Sequence, residues 1–316
     1  MSQPRNNPPR IVVVGSINLD LVAQVDALPC GGETIRANAY EELPGGKGGN
    51  QAVAAARLGA ECHIIGRVGD DGFGQKLLQS MQESGVKTDA VAITPNSPSG
   101  IAMINVDRQG ENAITVIAGS NGQLTSKDIR QQESLIASAA IVLLQLEIPY
   151  RTVAAAIRLA KQHRVPVMLD PAPAPGGDIP DEFWQVDYLT PNETEARQLT
   201  GLDISDLQHA ELAAKALRER GPRNVVLKLG QQGAMVCDES QRCTMLKSFP
   251  VTAKDTTAAG DAFNAALAYA ICRNDNPGLA EATRFACAAG AFAASHLGAQ
   301  PSMPTLRQVE EILAGI

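Results

Sequence analysis

The chain has no surplus of positive charge: across 316 residues, 27 Lys and Arg stand against 34 Asp and Glu, a net charge of −7. A nucleic-acid binder usually displays a basic stripe, so no nucleic-acid partner is expected. No apolar run approaches the roughly 18 residues of a membrane span, so no membrane partner is expected either. The opening "MSQPRNNPPR" lacks the apolar segment of a signal peptide. Residues 1–10 are read as a disordered tail, and the expected location is the cytoplasm. The six cysteines (Cys30, Cys62, Cys237, Cys243, Cys272 and Cys287) form no CxxC pair and show no metal-like spacing. Most sit within apolar runs, where Cys acts as a small hydrophobe. The four histidines are scattered. Neither disulfides nor a zinc site are expected, and no internal repeat or low-complexity linker breaks the chain.

What is present is ordinary for a globular protein: 44% hydrophobic and 19% charged residues, enough to bury a full core as one large domain or one domain with a small annex. "IVVVGS" (11–16) is an apolar β-branched run ended by Gly-Ser, as a buried strand should be. Residues 34–43 read as an exposed strand. "GGKGGN" (45–50) reads as a loop, and "QAVAAARLGA" as a helix closed by Gly59. "CHIIGRVG" is a strand, and "GFGQKLLQSMQESG" an amphipathic helix. Short strands recur at 91–93, 100–106 and 113–118.

From residue 125 the chain alternates strictly. Helices are predicted at 125–138, 150–163, 192–200 and 205–220, between the strands "AIVLLQL", "VPVMLD", "VDYLT" and "NVVLKLG"; further helices cover 260–273, 278–297 and 304–314. That rhythm means a parallel sheet covered by helices on both faces. The strands bunched near 16–44 and 91–118 do not fit it and are assigned to a small inserted β annex. In an open α/β sheet, ligands bind at the carboxyl ends of strands. "GSINLD", "QLE", "LDPAP", "TPNETE" and "KLGQQG" all follow apolar strands, so their polar residues should gather on one edge. Each alone is also an ordinary turn.

"PGGKGGNQA" is not a Walker loop, because Gly48 stands where Ser or Thr must follow Lys47; Gln51 takes the place of the third glycine of GxGxxG. What remains is a Gly-rich segment carrying Lys47 and Asn50 into a helix N-terminus. Such donors beside bare backbone suit a polyhydroxylated ligand, although Asn50 could simply cap the helix. In "NETE", Glu193 and Glu195 beside Asn192 suit a helix start, or a carboxylate pair holding the waters of Mg²⁺. In "KDTTAAGDAFNAALAYA" (254–270), Asp261 follows Ala258, Ala259 and Gly260. Asp261 reads either as a helix cap or first-turn acid, or as a base beside an anion held by the N–H groups that those small residues leave open.

Taken together, "GSINLD", "GGKGGNQAVAAARLGA", "GRVGDDGFG", "QLE", "TPNETEA", "LKLG" and "DTTAAGDAFNAAL" resemble, in order and spacing, the phosphofructokinase-B carbohydrate kinases. The resemblance runs from about residue 11 to "GAQPSMP" (298–304). It implies an α/β fold over 11–316, with a Rossmann-like, mostly parallel central sheet flanked by helices and a small β-sheet lid from about 16–44 and 91–118. It further implies ATP as phosphoryl donor, Mg²⁺ and a monovalent activator, K⁺. Carried over by position, Asn18, Asp20, Gly46, Lys47, Gly48, Gly49, Asn50 and Glu147 hold the sugar. Asn192, Lys228, Leu229, Gly230, Gln231, Gln232, Gly233, Gly260 and Cys287 line the ATP site, and Glu195 serves Mg²⁺ through water. Asp255, Thr257, Ala293, His296, Gly298 and Ser302 match the K⁺ segment; Ala258, Ala259 and Gly260 form the anion hole; Asp261 matches the catalytic base and touches both substrates. Three positions depart from the pattern: Gly49 replaces the usual Ala, Lys254 replaces an apolar residue, and Cys287 stands near the adenine where other side chains are common.

The expected activity is transfer of the γ-phosphate of ATP to the 5-hydroxyl of D-ribose. The alternatives are a kinase for deoxyribose, another sugar or a nucleoside, and, in a different class, a non-catalytic sugar-binding regulator. An intact Asp261 speaks against the last. An edge strand of the lid could pair with its twin in a second subunit, so a homodimer is expected.

Overall fold

Residues 11–14 point alternately to the two faces of the sheet, and both faces are covered. Ile11 and Val13 join one hydrophobic cluster, Val12 and Val14 another, and all four are fully buried. A strand buried on both sides needs no polar face, which is why this run reads as continuously apolar. The computed structural model describes residues 7–176, 179–273 and 277–315.

In chain order the first strands and helices are β1 (Arg10–Val14), β2 (Asn18–Gln24), β3 (Ala39–Gly45), α1 (Lys47–Arg57), β4 (Glu61–Gly69), α2 (Gly72–Glu83), β5 (Val91–Thr94), β6 (Gly100–Val106) and β7 (Asn112–Ile117). Then come α3 (Ser126–Gln131), α4 (Glu133–Ala137), β8 (Ile141–Leu144), α5 (Tyr150–Gln162), β9 (Val167–Leu169), β10 (Tyr188–Leu189), α6 (Glu193–Thr200) and α7 (Leu207–Glu219). The chain closes with β11 (Asn224–Lys228), β12 (Gly233–Cys237), β13 (Cys243–Lys247), α8 (Ala259–Ile271), α9 (Leu279–Ala294) and α10 (Leu306–Ala314).

Nine strands form one sheet in the order β13-β12-β11-β10-β9-β8-β1-β4-β5. Neighbours from β11 to β5 are parallel; β12 and β13 are added antiparallel. Helices α1, α8 and α9 contribute to the cluster on one face, and α5, α6 and α7 to the cluster on the other. A separate four-stranded sheet has the order β3-β2-β6-β7. This is the expected mixed α/β architecture, with a mostly parallel sheet flanked by helices and a small second sheet.

The boundaries differ from expectation in instructive places. Val91–Thr94, assigned from sequence to the annex, pairs in parallel with β4 and extends the large sheet. Nothing in a run of four residues says which sheet edge it will find. Only the second half of the exposed strand expected at 34–43 forms, as β3. The β12–β13 hairpin was not foreseen; its turn carries Gln241 at φ 60°, a left-handed position without the Asn-Gly or Gly signal that marks such turns. The single helix expected over 125–138 is interrupted at Gln132, which closes α3 with φ −102° and ψ 21°. Arg10, expected in the tail, opens β1 and is held by Glu61 at 3.1 Å; residues 1–6 of that tail lie outside the described residues.

Candidate active site

The Gly-rich segment is not a loop. Helix α1 begins at Lys47, so "KGGN" is its first turn. The N–H groups that a helix start leaves unpaired find distant acceptors: Lys47 N donates to Glu147 Oε2 (3.2 Å) and Gly49 N to Ser16 O (2.9 Å). Ser16 Oγ in turn donates to Glu147 Oε2 at 2.5 Å. This clamp requires the end of β1 and the start of α1 to touch. A Cβ on Gly15 would overlap Gln145 Oε1 and lie 2.8 Å from Gly48 Cα. The glycines are there for close approach.

The five strand-end segments do meet on one edge. Asn50 and Gln51, adjacent on α1, each hold one oxygen of Asp261: Asn50 Nδ2 donates to Oδ2 and Gln51 Nε2 to Oδ1, both at 3.0 Å. Gln51 Nε2 also reaches Asp170 Oδ2 (3.3 Å), and Gln145 Nε2 donates to Gln51 Oε1 (2.6 Å). Lys228 Nζ pairs with Asp170 Oδ1 at 2.9 Å. Asn50 Oδ1 is buried with no partner among the described residues, an acceptor awaiting a donor.

Asp261 is the third residue of α8, 4% exposed, and it does not cap the helix. The N-cap is Ala258, held at φ 58° with no side-chain cap bond. A left-handed non-glycine costs about 1–3 kcal/mol and persists where the surroundings impose it. Ala259 N donates to Thr256 O (3.2 Å). Of the three N–H groups expected to receive an anion, that of Ala259 is thus occupied, whereas no hydrogen bond to a described residue takes those of Ala258 and Gly260, or that of Asp261 beside them. Burial raises the Asp261 pKa and Asp170 adds to it; Lys47 and the Asn50 and Gln51 bonds oppose them without cancelling the rise.

Asp20 and Asn18 lie on one face of β2, in the small sheet. Asn18 Oδ1 accepts from Asn121 Nδ2 (2.7 Å), which fixes the amide. Asp20 is 8% exposed, and no hydrogen bond from the described residues reaches its carboxyl. Burial, with Glu147 and Asp261 nearby, pushes its pKa up to about 7. A Cβ on Gly45 would run into that carboxyl. For Lys47, burial alone would lower the ammonium pKa; the carboxylates of Asp261, Asp170, Glu147 and Glu195 outweigh it and hold it above the usual lysine value.

A cavity of about 860 Å³ runs from Lys47 and Asp261, past Lys228, Asn192 and Gly230, to Cys287 and Phe249. Asn192 and Glu195 form a capping box at the start of α6: Asn192 N donates to Glu195 Oε2 and Glu195 N to Asn192 Oδ1, each at 2.8 Å. The helix-start reading of "NETE" is thus realised. Both Glu195 oxygens accept from Asn192, each with a further lone pair, and Glu195 lines the cavity, so a hydrated divalent ion fits beside it. Burial raises its pKa, with Asp170 adding to the effect. Gly233 and Gln231 also line the cavity, but Leu229 belongs to the core and Gln232 does not reach the lining. Burial pushes the Cys287 thiol up to about 12, so it acts here as an apolar wall.

In the segment expected to bind K⁺, Asp255 Oδ1 accepts from Thr257 N (2.8 Å) and Oδ2 from Gly298 N (2.9 Å). His296 N donates to Ala293 O (3.0 Å), and Ser302 Oγ to Ala299 O (2.7 Å). The His296 ring stacks on Phe292 with centroids 4.1 Å apart. Lys254 is exposed, and its backbone N–H donates to Ala294 O at 2.8 Å. No group of three or more His, Cys, Asp or Glu side chains placed to hold a metal ion occurs among the described residues.

Sequence reasoning missed Gln51, Asp170, Gln145, Ser16 and Asn121. Asp170 and Gln145 lay in quoted strand-end segments, but nothing local distinguished them from turn residues or core amides.

A carboxylate at a helix start, open amide donors beside it and a deep cleft across the edge of a parallel sheet define a phosphoryl-transfer enzyme. The family described as "pfkB family carbohydrate kinase" matches residues 8–306. A ribokinase of Haemophilus influenzae is 38% identical over 304 residues, 96% of this chain and 98% of that protein. A deoxyribokinase of Salmonella typhi is 34% identical over 96% of this chain and 98% of its own length. The structure of an Arabidopsis thaliana ribokinase complexed with ribose and ATP superposes with a TM-score of 0.86 at 34% identity, covering 97% of this chain and 99% of that one. The chain belongs to the pfkB family of carbohydrate kinases.

Proposed function

We propose that this protein transfers the γ-phosphate of ATP to the 5-hydroxyl of D-ribose, releasing ADP and D-ribose 5-phosphate. One observation carries the reading: the buried Asp261 carboxylate, held by Asn50 and Gln51, lines one end of a nucleotide-sized cleft at a helix start with open N–H donors.

The sugar lies against Asn18, Asp20, Asn50, Glu147 and the α1 start at Gly46–Gly49, where buried carboxyls and amides accept from and donate to its hydroxyls. Asp261, its pKa raised by burial, accepts the proton of the attacking hydroxyl. Charge growing on the transferred group is met by the Gly260 and Asp261 N–H groups and the positive end of α8. Lys228, whose Nζ stands 3.6 Å from the position of a Cβ on Gly260, is within reach of the phosphates. Asn192 and the Gly230–Gly233 turn flank the nucleotide, with Cys287 beside the base. Glu195 would hold Mg²⁺ through water, and the ion would supply charge neutralisation on the phosphates. K⁺ bound by Asp255, Thr257 and the carbonyls of 293–302 would order the loop that leads to α8. ATP as donor fits a cytoplasmic enzyme.

The small sheet acts as a lid that excludes water from the transferred group. Its β7 edge is exposed along its whole length, with Ile114 at 54% and Val116 at 52% exposure. That edge favours a homodimer formed through the lids. An ADP-release assay over ribose, deoxyribose, fructose, tagatose and nucleosides tests the substrate. Ribose is expected to give the highest kcat/KM. Preference for deoxyribose would move the chain toward its Salmonella relative, and binding without turnover would make it a regulator.

A further inference from the structure

Asp261 and Lys228, the base and the phosphate-side cation of the proposed reaction, are joined by an unbroken chain of buried side chains. Gln145 fixes Gln51 Oε1; the amide nitrogen of Gln51 then bridges Asp261 Oδ1 (3.0 Å) and Asp170 Oδ2 (3.3 Å); and Lys228 Nζ closes on Asp170 Oδ1 (2.9 Å). Gln145 is fully buried, Gln51 is 1% exposed and Asp170 2%. An amide placed only to satisfy one carboxylate needs no second acid behind it. Two buried carboxylates on one amide repel each other, and that arrangement is costly unless a cation balances it. Lys47, which faces both carboxylates, and Lys228, which is bonded to Asp170, supply that charge, and Lys228 also faces the nucleotide cleft.

We propose that Gln51 and Asp170 are positioning residues that couple the base Asp261 to Lys228, so that engagement of the nucleotide phosphates is felt at the base. The proposal rests on the kinase reading above. When Lys228 turns to a phosphate, Asp170 loses its partner. Its unbalanced charge then acts on Asp261 across the Gln51 amide and strengthens the base only when the donor is in place. The other charged groups facing Asp261 are Lys47 on α1 and Asp20 on β2; neither is held by this chain of bonds.

The coupling has signs that a packing role lacks. Gln51→Leu removes a donor from the carboxylate and should raise the Asp261 pKa. Asp170→Asn removes a like charge and should lower it. Lys228→Met leaves Asp170 unbalanced and should raise it. Each shift is expected to be about one unit. Two readouts are needed: carboxyl titration of ¹³C-Asp-labelled protein without nucleotide, and the acidic limb of the kcat profile with ribose and ATP. Gln51→Leu should also lower kcat about tenfold or more at neutral pH, with the sugar KM within about twofold. Opposite shifts in the first two variants support the relay. Equal Asp261 titration in all the variants overturns it, even if the parent enzyme is active. A parent that binds sugar but never turns over overturns the kinase reading, while the NMR titration still decides whether the coupling exists.

Discussion

Asp20→Asn should stabilise the protein while crippling its use of sugar. The Asp20 carboxyl is 8% exposed, and its pKa is pushed from 3.8 to about 7. A carboxyl whose pKa is raised on folding gives stability that is full below its unfolded pKa and lost as pH rises toward the folded value. The shift of about 3 units, at 1.36 kcal/mol each, amounts to roughly 4 kcal/mol lost by pH 8 and about 2 kcal/mol lost by pH 5. Asn has the same shape and carries no charge at either pH. Taking ~2.1 cal/mol/K per residue for the unfolding entropy, the variant should melt about 6 °C above the parent at pH 8 and about 3 °C above it at pH 5. The sugar KM should move the other way, because a lost hydrogen bond to a charged group costs about 1.5–3 kcal/mol, or tenfold and more in affinity. In the parent, the sugar KM should rise as pH falls below 7, since a protonated Asp20 accepts hydroxyls poorly. Thermal melts at the two pH values without ligand, with KM measured alongside, check both signs. A variant less stable than the parent at pH 8, or with an unchanged sugar KM, would refute the reasoning.

Three further outcomes are expected. Gly260→Val places a branched side chain beside Lys228 Nζ, in the path of the phosphates; it should depress kcat by about 100-fold or more and leave sugar affinity, read by calorimetry, near the parent value. Activity should rise with K⁺ and respond poorly to Na⁺ at equal ionic strength; equal rates in the two salts would count against the cation site at Asp255. Sedimentation should show a dimer that Ile114→Glu with Val116→Glu converts to a monomer; a monomeric parent would remove the lid interface.

The alternation of strands and helices after residue 125 was legible because buried parallel strands and their covering helices each impose a period on the chain. Short edge elements were not. Val91–Thr94 and the β12–β13 hairpin owe their places to partners far away in sequence. The site divides in the same way. Asp261, Lys47, Asn50 and Asp20 stood out through glycines and acids at element boundaries. Gln51 sits one residue past Asn50 within an alanine-rich helix, and its role depends on Asp170 and Gln145, which reach it only in the folded chain. The capping box at Asn192 and Glu195 realised the helix-start reading and left the metal reading compatible with it, since a carboxylate can serve both.

The most direct test is the turnover of ribose by Asp261→Asn, with sugar and nucleotide affinities measured on the same protein. Asn keeps the shape of the side chain and loses the base. The expected result is a fall in kcat of about 10²–10⁴-fold, with both affinities within a few-fold of the parent. Turnover near the parent rate would contradict the assignment and leave Asp261 a first-turn acid of its helix.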